Sequence, residues 1–139
     1  MKTILKFVVA AAAVQTISLA ATAASAQMTM PEACKTETSA SGAMQMPGGD
    51  MGQMAEHQKA MMEGMRETEP AMMQGMMAKD PDVAFVCGMI AHHTAAINMS
   101  EIELKYGDDQ QAKSMAEKII EAQKKEVEQM TAWLSEHAK

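Results

Sequence analysis

Aromatic side chains are scarce: Phe, Tyr and Trp make up 3% of the 139 residues. Beyond the first 26 positions only Phe85, Tyr106 and Trp133 remain. A core must therefore be assembled from Ile, Leu, Val, Ala and Met. No stretch alternates apolar and polar residues over a strand length, which excludes a sheet and predicts an all-α chain. Basic clusters are missing and the formal net charge is −6, a poor basis for nucleic-acid binding. Only two cysteines occur, Cys34 and Cys87. Neither Glu-x-x-His nor His-Glu-x-x-His is present, so the hard-ligand motif of di-iron helical bundles is lacking. Past the N-terminal leader, no stretch reads as long and apolar enough for a membrane span.

The chain opens as an export signal. Lys2 and Lys6 precede a short, mostly apolar run from Phe7 to Leu19, and Ala24-Ser25-Ala26 is a small-residue cleavage site. Cleavage after Ala26 would leave one domain-sized product in the bacterial periplasm. Two thiols in an exported chain most often pair, so a Cys34–Cys87 disulfide is expected. The competing reading makes both cysteines thiolate ligands in a reducing environment.

Methionine is what the chain has in excess: 18 in all, and only Met1 lies in the leader. A thioether carries no charge, forms no disulfide and prefers soft ions such as Cu(I) and, by the same logic, Ag(I). It stays a usable ligand where free thiols are lost.

Residues 27–50 are rich in Thr, Ser, Gly, Pro and Ala and read as a flexible arm holding Met44 and Met46. Residues 51–139 read as a helical domain of three or four helices. The first, Met51 to Glu67, carries a stripe of Met51, Met54, Met61, Met62 and Met65 with His57 at its edge. Thr68-Glu69-Pro70 looks like a cap opening a second, short helix with Met72, Met73, Met76 and Met77. Asp80-Pro81 opens a long helix to Tyr106, ended by Gly107. Asp108 is expected to cap a last helix running to about His137. The two long helices should form an antiparallel hairpin.

On the long helix, Val86, Met89, Ile90, His93, Ile97 and Leu104 share one face, while His92 lies about 100° away with Phe85, Ala96 and Met99. The adjacent histidines cannot aim at one point. Folding near Gly107 sets His93 level with Ile119 to Gln123, where Gln123 could bond it. Met115 and Met130 read as packing by their own surroundings, and Glu126 as part of a solvated face. Met54-x-x-His57 and Met89-x-x-His92 repeat a one-turn spacing with a soft thioether in place of a carboxylate.

The stretch Phe85-Val86-Cys87-Gly88-Met89-Ile90-Ala91-His92-His93-Thr94-Ala95-Ala96-Ile97-Asn98-Met99, with Ile119-Ile120, Gln123, Glu126-Val127, Met130 and Trp133-Leu134, resembles the "domain of unknown function 305" family. The resemblance covers roughly Asp80 to His137. It implies a ferritin-like helical bundle and periplasmic copper binding, with matching ligand positions at Met89, His92, His93, Met99 and Met130.

The expected function is therefore non-enzymatic: sequestering or carrying Cu(I), Ag(I) or Cu(II) for copper tolerance. The ligand candidates are Met51, Met54, His57, Met61, Met65, Met72, Met73, Met76, Met77, Met89, His92, His93, Met99, Met130 and His137, with Met44, Met46 and Met62 as additions. Another periplasmic copper protein and a second copy of the chain are the expected partners. The alternatives are a methionine-rich interaction or oxidant-buffering module and a metal-dependent oxidase.

Overall fold

The computed structural model describes residues 29–35 and 51–138, apart from the Met51 side chain. The expected leader and most of the expected arm, including Met44 and Met46, lie outside the described residues. Three α-helices make up the body: α1 (Glu56–Met76), α2 (Pro81–Tyr106) and α3 (Gln110–His137), preceded by 3-10 turns at Glu32–Cys34 and Met51–Gln53. Among the described residues there is no strand, as the missing alternation requires.

Each boundary has a local cause. At α1 the Gln58 side chain accepts the Ala55 N–H at 2.8 Å. At α2 the Asp80 carboxylate accepts the N–H groups of Asp82 and Val83 at 2.9 and 3.0 Å, with Pro81 in the first turn. Gly107 follows the last turn of α2. Asp109, not Asp108, caps α3 by accepting from Ala112 N at 2.7 Å.

Of the three or four helices expected there are three, because the break expected at Thr68-Glu69-Pro70 is not made and Pro70 lies inside α1. A proline there removes one backbone bond and usually kinks or ends a helix. Pro70 is exposed, whereas the residues around it that turn toward α2 (Thr68, Ala71, Met72 and Gly75) are buried or half-buried on both sides of it. Packing against α2 carries one helix across the break.

The middle helix is α2, with α1 packed on one flank and α3 on the other; α1 and α3 hardly meet. The buried core sits at one end, where Val83, Val86, Cys87, Ile90, Ala91 and Leu134 pack with Met30 and Cys34. The expected disulfide joins Cys34 to Cys87, with both side chains fully buried. It fastens the short N-terminal segment to α2.

By length and composition α2 could cross a membrane, though one third of that stretch is buried. This corrects the expectation that no such stretch exists. Between Asp82 and Glu101 the helix has no charged residue. The polar but uncharged His92, His93, Thr94 and Asn98 disguise that in the sequence.

Two glycines on α1 carry opposite predictions. A Cβ at Gly75 would lie 2.8 Å from Cys87 backbone and side-chain carbons, whereas one at Gly64 would meet Asn98 at 3.7 Å. Gly75→Ala should destabilise by about 2 kcal/mol through overpacking. Gly64→Ala should stabilise by about 0.5–1 kcal/mol through helix propensity. Urea unfolding of the two variants reads the difference in sign, and equal shifts would refute the close approach.

Candidate functional site

The candidate site begins with the small residues of α1. Gly64 and Thr68 face α2, and their size lets the helices lie close. The Thr68 hydroxyl is buried and donates to Gly64 O at 2.8 Å, so it is already satisfied. Beside this floor the longer side chains Met61 and Met65 of α1 meet Met99 of α2. Together with Ala95 and Asn98 they line a shallow, solvent-open cleft with room for about 10 Å³, roughly one water molecule. Met65 and Met99 are half exposed, at 46% and 52%. His57 stands one turn before Met61, and its exposed imidazole has no hydrogen-bond partner among the described residues. Nearby, Lys59 and more distantly Lys105 hold the Glu56 carboxyl below its usual range. That pairing places the start of α1 beside the end of α2.

On α2 the tandem histidines diverge as the wheel predicts, their rings 6.0 Å apart and 69° from coplanar. His92 is exposed and has no hydrogen-bond partner among the described residues. His93 is buried, with Nδ1 2.8 Å from Met89 O and Nε2 2.6 Å from the Glu126 carboxylate. Both partners are oxygens that accept, so the ring nitrogen that carries a proton donates to one of them. Metal ligation by His93 would require one of these contacts to break.

The expected Gln123 partner is thus replaced by Glu126, which the sequence reading had left as plain solvated surface. The register is about one turn longer because the hairpin turns at the Asp109 cap rather than at Gly107. It sets Met89 level with Met130. Glu126→Ala should cost about 1–2 kcal/mol by orphaning a buried ring nitrogen, and Glu126→Gln clearly less because its amide oxygen still accepts. Chemical denaturation of both variants checks this.

At the end of α3, Trp133 and His137 stack 4.5 Å apart and nearly parallel. His137 donates from Nδ1 to Trp133 O at 2.8 Å. That bond occupies Nδ1 and leaves Nε2 as the ring nitrogen through which a metal could be held.

The remaining candidates scatter. Met54 precedes α1, which starts at Glu56, so the one-turn helical relation expected between Met54 and His57 is not made. Met62 is half-buried, Met72 packs against the core, and Met73, Met76 and Met77 are exposed. Met76 overlies Gly88, its Cγ 3.0 Å from where a Cβ would stand. Met130 is partly buried against the core, while Met115 is 53% exposed rather than packed. Among the described residues, no group of three or more His, Cys, Asp or Glu is placed to hold a metal ion. The signal for the cleft was the spacing Gly64, Thr68, Ala71, Gly75, which sequence reading passed over in favour of the methionines beside it.

A family described as "Domain of unknown function (DUF305)" matches residues 8–134. The match extends well before Asp80, where the sequence resemblance had begun, and takes in all of α1. No curated protein matches the chain.

Proposed function

This chain belongs to the DUF305 family, and from that premise and the cleft geometry we propose that it is a copper-binding protein. It sequesters or carries Cu(I), and Ag(I) by the same chemistry, and so contributes to copper tolerance. The ion is cargo, not the cofactor of a reaction, and the protein is not an enzyme. The supporting observation is the convergence of Met61, Met65 and Met99 from two helices on one solvent-open cleft. Three neutral, polarisable sulfurs suit a soft monovalent ion and offer little to hard cations.

The rest of the donor set is proposed as satellite positions. His57 extends the cleft by one turn. Met89, His92 and Met130 form a second station on α2 and α3, with His93 joining only if it leaves Glu126. His137 with its free Nε2 forms a third. Met51, Met54, Met62, Met72, Met73, Met76 and Met77, with Met44 and Met46, are low-affinity donors proposed from composition. Cu(II) would be confined to the imidazole positions. The proposed setting is the periplasm, after removal of residues 1–26, with residues 27–50 as a methionine-containing arm ahead of the helical domain. The buried disulfide fits an oxidising compartment. A second copper protein of that compartment would receive or deliver the ion.

Native mass spectrometry with Cu(I), Ag(I) and Zn(II) tests the reading. At least one Cu(I) and one Ag(I) per chain are expected, with Zn(II) weaker. Equal uptake of Zn(II), or none of the soft ions, would refute it. The half-exposed methionines also suit an oxidant-buffering role. That role predicts sulfoxide formation without loss of fold and no response to copper.

A further inference from the structure

We propose that the cleft between α1 and α2 is a methionine-sulfoxide site, in which Asn98 holds the oxygen added to Met65 or Met99 and that oxygen shuts out soft ions. The switching half of this inference rests on the copper reading; the modification half does not. Among the residues lining the cleft, Thr68 and Asn98 are the polar ones. The Thr68 hydroxyl is committed to Gly64 O. The Asn98 side-chain amide is half-buried and has no hydrogen-bond partner among the described residues. It faces α1, since its Cβ lies 3.7 Å from where a Cβ on Gly64 would stand.

A half-buried amide beside thioethers is poorly matched, because a thioether sulfur accepts a hydrogen bond only weakly. The room left beside it takes roughly one water molecule. A water there needs about two to four polar partners, and Asn98 is the one lining side chain with a donor to spare. A sulfoxide oxygen, already held by its bond to sulfur, needs only that one. It is also a far stronger acceptor than the thioether it replaces. The donor thus stands in place before its acceptor is made.

Met65 and Met99 are 46% and 52% exposed, so a small peroxide reaches both. The thioether sulfur attacks one peroxide oxygen. The S–O bond forms as the O–O bond breaks, and the other oxygen takes the proton of the first and leaves as water. Sulfur gives up two electrons and hydrogen peroxide accepts them. The Asn98 amide lines the space where the oxygen arrives, and its N–H stabilises the developing S–O dipole. The product presents a hard oxygen in place of a soft sulfur, so Cu(I) and Ag(I) lose a donor. Enzymatic reduction of the sulfoxide returns it.

The experiment uses the processed protein from the exporting cell, freed of metal by chelation. It is treated with limiting hydrogen peroxide, which catalase then removes, and peptide mass spectrometry maps the sulfoxides. Met65 and Met99 should oxidise about threefold faster than Met73, Met77 and Met115, which are as exposed and lie outside the cleft. Asn98→Leu, close to asparagine in shape, should slow the two to the rate of those three while helical circular dichroism persists. Protein oxidised at Met65 and Met99 should bind Cu(I) about tenfold more weakly or worse under chelator competition, and methionine sulfoxide reductase should restore the affinity. Equal rates at all five methionines, in the parent chain and in Asn98→Leu, would overturn the modification site. Undiminished Cu(I) affinity after oxidation would overturn the switch. Failure of the unoxidised protein to take up Cu(I) would sink the copper reading and the switch with it, while the oxidation map alone decides the role of Asn98.

Discussion

Replacing Cys34 and Cys87 together by alanine is expected to lower the unfolding free energy by about 4 kcal/mol. The two residues are 53 positions apart, and closing a loop of that size removes about this much free energy's worth of chain entropy from the unfolded state. The bridge also gathers Met30 and Cys34 onto the end of the fold where nearly all fully buried side chains lie. Against a typical total of about 5–15 kcal/mol, the loss is large. The body should keep its helices at low temperature and melt far earlier. Urea titration with and without a thiol reductant measures it. A shift under about 1 kcal/mol would show that the N-terminal segment is attached to the body without stabilising it.

The triple replacement of Met61, Met65 and Met99 by leucine should weaken Cu(I) binding about a hundredfold, or about 2.7 kcal/mol. Leucine keeps methionine's bulk and costs under about 1.5 kcal/mol per well-packed site. Two of these side chains are half exposed, so the fold should survive. The loss would then be of sulfur, not of shape. A matched control replaces Met73, Met77 and Met115, which are exposed and do not line the cleft. Competition against a Cu(I) chelator gives the ratio of affinities. Equal affinities for the two triples would show that the cleft is not the binding site and that methionine content alone sets uptake.

Much of the organisation was legible because it depends on local chemistry. Asp80-Pro81 announced the start of α2, Gly107 its end, and the 100° step separated His92 from His93. The cysteine pairing followed from the count of two and from the export expected of residues 1–26. Pro70 misled because its cost is local while the packing that overrides it comes from α2. Glu126 was missed because its exposed, charged character gave no hint of a buried ring across the hairpin. The Gln123 assignment failed by one turn, because the hairpin turns near Asp109 rather than at Gly107.

The sequence alone determined that this chain is helical, where its long helices begin and end, and that its surplus donors are soft sulfur, since each follows from near neighbours along the chain. Tertiary structure decided which donors meet. Met61 and Met65 are brought to Met99 by small residues that let α1 lie close on α2, while His93 is drawn to Glu126. Contacts between residues tens of positions apart depend on register and helix spacing, and those are settled only when all three helices pack.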